Sequence, residues 1–386
     1  MSDENQAPPP PEAPASRPEG PPAPHPAFEF LEPGGAPAAS GPPEPAGPPL
    51  PRPVLHTALA LALLGLASLA FGQVEAALLI AIAAMYFVAQ GADVHPAMGR
   101  VYSLLAWIPS VVGGVMLGAL AGLLVRDAPL TPLRAGFAVF SGLGALASFA
   151  TLLPSVADRL VRLLFRGSGP SHTLRLTASV VLVILCVALP TWLEFRDQIA
   201  ELLRDPAELV SASKLSGGLV GYIVLAFAAV GFLVRRDWRG SLERLGLTSV
   251  RPAQWLTVGA GVLALWLFNA GSEWLERRAF PALWAGDQAF ATALAGVMGP
   301  GLMLLLGLSA GIGEEITLRG ALQPKLGIAL TSLIFAALHV QYSWFGMLSI
   351  LVFGLILGAI RKGSSTTAAI LVHSLYDLLA VASSKS

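Results

Sequence analysis

From residue 54 to the C-terminus, apolar runs alternate with short polar links, and most runs approach the roughly 20 residues that a bilayer-crossing helix requires. The pattern predicts eleven spans, at residues 54–71, 76–90, 103–125, 135–153, 176–193, 215–234, 255–271, 290–312, 327–340, 345–360 and 368–381. The first two are joined by a link long enough only for a tight turn. The third carries Gly113, Gly114, Gly118 and Gly122, which suits close approach of a neighbouring helix. Residues 194–214, EFRDQIAELLRDPAELVSASK, mix charges with apolar positions and predict a short amphipathic helix outside the bilayer or at its surface. The fold class expected is all-α, a polytopic transmembrane helical bundle.

Before residue 54 the pattern is different. Residues 1–53 hold more than half of the 31 prolines, with Ala, Gly and Glu filling much of the rest. Such a tract buries too little apolar surface to fold and is expected to be a disordered, Pro/Ala-rich tail. Its one apolar spot, FEFLEP at residues 28–33, is read as part of a spacer. No secretory signal peptide is recognised at its start. The expected organisation is a tail (1–53), accessory membrane helices (54–209) and a second membrane region (210–386) holding nearly all the reactive groups.

Composition sharpens this picture. The 386 residues are 54% hydrophobic and 12% charged, about half the charged fraction of a soluble domain. Formal net charge is zero and no Lys/Arg-rich block exists, so no nucleic-acid partner is expected. The single cysteine, Cys186, excludes an intramolecular disulfide and reads as packing. Links after the even-numbered spans carry more Lys and Arg, the densest being Arg235, Arg236, Arg239, Arg244 and Arg251. With eleven spans that bias places the N-terminus in the cytoplasm. The location expected is a bacterial inner (plasma) membrane.

Against this apolar background, three segments carry ionisable groups. GEEITLRG holds Glu314, Glu315 and Arg319; IFAALH holds Phe335 and His339; HSLYD holds His373 and Asp377. On an α-helix Glu315 and Arg319 lie about 40° apart and can pair, whereas Glu314 is turned away by about 100°. His373 and Asp377 share one face, so the carboxylate can hold the ring or both can address one ligand. Taken singly, each has a plain structural reading: a wet helix end, a packed histidine, an interhelical hydrogen bond. Taken together, three spans can deliver glutamates, histidines and an aspartate to one polar pocket, and intramembrane ionisable groups default to function. The chemistry they suit is activation of water, with a glutamate as base and histidines as acid, oxyanion donors or metal ligands. There is no HExxH.

The order EExxxR, FxxxH, HxxxD resembles the CAAX protease and bacteriocin-processing (CPBP, or Abi) family of intramembrane proteases, over about residues 215–382. The resemblance implies an endopeptidase with Glu314 and His339 activating the attacking water and His373 and Asp377 stabilising the oxyanion. Glu315, Arg319 and Phe335 would support the site. In the metalloprotease description Glu314, His339 and His373 would hold Zn2+; in the glutamate-protease description no metal is needed, and the sequence leaves both open. Two departures stand out: Leu318 where the family commonly has Phe, and Asp377 where it commonly has Asn. The partners implied are a membrane-anchored peptide or protein substrate and the bilayer itself. A non-catalytic scaffold or immunity-type factor, and a proton-coupled transporter using Glu314, His339 and Asp377 as stations, are the competing readings.

Overall fold

The computed structural model describes residues 52–126, 129–165, 167–202 and 210–384. The tail expected at residues 1–53 falls almost wholly outside the described residues. Among those described there is no strand, and helices follow one another from Arg52 to Ser383. Nine are long and apolar enough to cross a membrane, and a shorter apolar helix covers His56–Ala70. This is an integral membrane protein built as an all-α bundle.

The first two helices, α1 (Arg52–Ala70) and α2 (Val74–Ala92), meet at a turn. The third expected span begins earlier than the pattern indicated. Pro96 starts α3 (Pro96–Ser103), a short bend follows, and α4 runs Trp107–Arg126. After α5 (Pro132–Ala150), the Arg-bearing link that follows the fourth expected span forms a further helix, α6 (Pro154–Leu164), which buries Ala157 and Val161. The segment read as a separate amphipathic helix instead extends α7 (His172–Leu202), and residues 203–209 fall outside the description. α8 (Ala212–Val230) ends at Gly231, and α9 (Trp238–Leu245), with an Asp237 cap, occupies the most basic link.

The largest departure lies where the eighth span was expected. Met298, Gly299 and Pro300 interrupt it, because proline lacks the N–H a continuing helix would use. The outcome is α11 (Pro281–Val297), following α10 (Pro252–Ala279), and then α12 (Pro300–Glu315). α12 passes into a π-helical segment, Ile316–Leu322, and then into α13 (Gln323–Ala337). The run bends at Gly327, whose φ of +80° is readily open to glycine. The chain ends with α14 (Trp344–Gly363) and α15 (Thr366–Ser383).

Two packing features place the site. Val161, Phe165, Ala178 and Val181 of α6 and α7 share a core with Leu318, Leu326, Ile334 and Phe335, so the accessory helices support the C-terminal ones. α12 lies directly against α15, through glycines spaced one turn apart. A Cβ on Gly307 would meet Ser374 O at 3.1 Å, and one on Gly311 would meet Ser374 N at 2.8 Å and Ile370 O at 3.1 Å. Small residues at this spacing let helix backbones touch. Gly311→Ala is therefore expected to push α12 off α15. It should cost about 1–3 kcal/mol, read by thermal denaturation in detergent. Unchanged stability would show that the contact is slack.

Candidate active site

α12 delivers the glutamate pair. Glu315 is fully buried, and its two carboxylate oxygens face different partners. Oε1 accepts from His373 Nδ1 at 3.1 Å, joining α12 to α15, and Oε2 lies 3.3 Å from Arg319 Nε. Arg319 is itself fully buried, with its guanidinium over the Phe335 ring at 5.0 Å. A buried guanidinium is costly without an anion and a ring face, and it has both.

The π-helical segment that carries Arg319 has a local cause. Pro324 has no N–H, so the Gly320 carbonyl four residues earlier loses its α-helical donor. Arg244 of α9 supplies donors instead, to Gly320 O at 3.0 Å and Ala321 O at 3.2 Å. Single-turn π segments of this kind recur at functional sites.

Glu314 points elsewhere. Its Oε2 is buried without a hydrogen-bond partner on the protein among the described residues. The Tyr222 ring of α8 packs on the Gly313 backbone beside it, close enough that a Cβ there would lie 2.9 Å from the ring. Tyr222 in turn hydrogen-bonds Glu75 of α2. Glu75, read from sequence as part of a tight turn, is thus a further carboxylate near the glutamate pair. Nothing in its local pattern marks it.

His339 follows the last turn of α13. Its Nδ1 faces the Phe335 carbonyl at 2.7 Å and must donate there, since a carbonyl only accepts, which leaves the Nε2 lone pair free. The Phe335 ring stands edge-on to His339 at 4.8 Å and to His373 at 5.9 Å between ring centres. His373 Nε2 lies 3.5 Å from Asp377, one turn later on α15. Tyr342 tilts toward His339, with ring centres 6.3 Å apart. The ring of Phe335 is thus touched by Arg319, His339 and His373, one residue from each of the three motifs.

The expected zinc ligands do not fit this arrangement. Tetrahedral zinc takes three or four lone pairs from converging donors. His373 Nδ1 donates to Glu315 and Nε2 lies 3.5 Å from Asp377, so only Nε2 could face a metal. Among the described residues no group of three or more His, Cys, Asp or Glu side chains is set to hold a metal ion. Glu314, His339 and His373 stand around one site, but not as a ligand set.

Residues 288–379 match the family model described as type II CAAX prenyl endopeptidase Rce1-like. The match takes in all three motifs and ends two residues past Asp377. No curated protein and no solved structure matches the chain.

Proposed function

Over residues 288–379 the chain belongs to the Rce1-like family, and from that premise we propose an intramembrane endopeptidase that cleaves membrane-associated or C-terminal, CAAX-like peptides with a Glu/His-activated water. The observation that carries this reading is the meeting of the three motifs around the Phe335 ring. In it Glu314 is the general base: a carboxylate with an oxygen unclaimed by the protein is suited to take a proton from water. His339, holding its Nδ1 proton on the Phe335 carbonyl, presents the Nε2 lone pair to the same water; when the tetrahedral adduct collapses, the C–N bond breaks and the proton taken by Glu314 passes to the leaving amine. As water attacks the scissile carbonyl carbon, the carbonyl π bond opens and negative charge collects on its oxygen. In this reading His373, as the imidazolium with Nδ1–H on Glu315, donates to that oxygen through Nε2–H, and Asp377 does so when it carries a proton. Glu315 and Arg319 touch no substrate in this scheme; they set the His373 ring and the bend of the helix.

The test is purified protein against a panel of membrane-anchored peptides, including CAAX-terminated ones. Cleavage of at least one is expected, at a rate unchanged by prior dialysis against a chelator, because among the described residues no three His, Cys, Asp or Glu side chains are set to hold a metal ion. A rate lost on dialysis and restored by Zn2+ would overturn the metal-free reading. Cleavage of no member of the panel would overturn the peptidase.

A further inference from the structure

Ser343 closes the turn that carries His339 and caps α14, and its hydroxyl oxygen has three polar neighbours. Gly346 N–H donates to it at 3.0 Å. Asp287 Oδ2 of α11 lies 2.8 Å away and Glu276 Oε1 of α10 lies 3.0 Å away. Asp287 Oδ1 also accepts from the Ser343 N–H at 2.9 Å. A hydroxyl has one proton to give. It can satisfy one carboxylate as donor and meet the other only as acceptor, which requires that the second carboxyl keep its own proton. The two carboxyls also hydrogen-bond each other, and two bare anions in contact would repel.

We propose that Asp287 and Glu276 hold one proton between them and, through Ser343, fix the turn at residues 338–343, making both positioning residues for His339. The inference rests on His339 acting in catalysis, as proposed above. A cap on α14 alone would need only Ser343; two carboxyls from two other helices are more than a cap requires. A second link joins the same parts: Phe290, three residues along α11 from Asp287, packs edge-on against Tyr342 at 5.5 Å. Burial raises the Asp287 carboxyl above the ordinary aspartate range. The other titratable groups facing the pair are Glu273 of α10 and the Tyr342 hydroxyl on the turn, while Arg277 and Arg278 follow Glu276 along α10. Arg277 and Arg278 lie over the Trp284 and Trp274 rings rather than on the pair.

The sign follows from the shared proton. A carboxyl whose folded pKa is raised contributes stability at low pH and loses it as pH rises through the folded value. The turn should therefore loosen on the alkaline side, and activity should fall there. Asp287→Asn removes that titration while keeping the hydrogen bonds: the amide oxygen accepts from Ser343 N–H and the amide nitrogen donates to Ser343 Oγ. Two readouts decide it on the full-length protein in detergent, each across pH: peptide cleavage, and hydrogen-exchange protection of the amides in residues 338–347. Wild type is expected to lose both on the alkaline side. D287N is expected to stay flat in both, within about threefold of wild type at neutral pH. D287A should be at least tenfold slower throughout, chiefly in kcat. If D287N falls with pH in parallel with wild type in both readouts, the shared proton does not exist. If wild type cleaves nothing but its exchange is pH-linked and D287N is flat, the clamp stands and the peptidase reading falls.

Discussion

Glu314→Gln is expected to lower kcat by about 10²–10⁴-fold, the range a general base contributes, while leaving thermal stability unchanged or slightly raised. The two neighbouring glutamates should part company here. Glu314 has a buried oxygen with no partner on the protein, so an uncharged amide at that position forfeits no ion pair and relieves a buried charge. Glu315 accepts from His373 and pairs with Arg319, so Glu315→Gln removes the anion from a fully buried guanidinium and should lower stability and activity together. KM should change little in E314Q, because the group acts on water rather than on the bound peptide. Steady-state kinetics on one membrane-anchored reporter peptide, beside thermal denaturation in the same detergent, separates the two variants. Wild-type kcat in E314Q would remove Glu314 from the mechanism and shift the base to another carboxylate, with Glu75 and Asp377 as candidates.

How much of this was legible beforehand can be argued from particular residues. Hydropathy placed most crossing helices, since a lipid-facing helix has few ways to be anything else. The motif residues were legible because charge is rare in this chain: Glu315, Arg319, His373 and Asp377 stand out against an apolar run. Helical periodicity also separated the two glutamates in direction, and the structure gives Glu315 the partners His373 and Arg319 while an oxygen of Glu314 stays unclaimed. Packing and backbone irregularity were not legible. The π-helical segment depends on Pro324 removing one N–H and on Arg244 arriving from a helix about 80 residues earlier, a pairing no local window contains. The interruption at Gly299 and Pro300 was present in the sequence, but the apolar run across it masked α11. Asp287, Glu276 and Ser343 each look like ordinary polar residues in links or helix ends. Their meaning lies in the shared hydroxyl, which only the fold brings about.

Arg319→Met should be the most destabilising single change at the site, by about 3–5 kcal/mol, the usual cost of stripping one partner from a buried ion pair. The guanidinium is fully buried and lies between the Glu315 carboxylate at 3.3 Å and the Phe335 ring at 5.0 Å. Methionine fills much of the volume and keeps a soft contact with the ring, so cavity formation is a minor part of the cost. What remains is a carboxylate in the bundle interior, held only by His373. Lysine at this position should rescue poorly, because a compact ammonium cannot lie flat on Phe335 while reaching Glu315. The cause is separable from mere side-chain loss. In the double variant Glu315→Gln with Arg319→Met no buried charge is left alone, and the pair should be more stable than R319M by itself, a positive coupling in a double-mutant cycle. Equilibrium unfolding in mixed micelles measures all three. Additive losses in the double variant would mean that Arg319 serves the fold through packing on Phe335, with its charge irrelevant. Coupled losses would tie the stability of α12 to the same carboxylate that sets the His373 ring, so the glutamate nearest the proposed base would orient its histidine only while the arginine keeps it ionised.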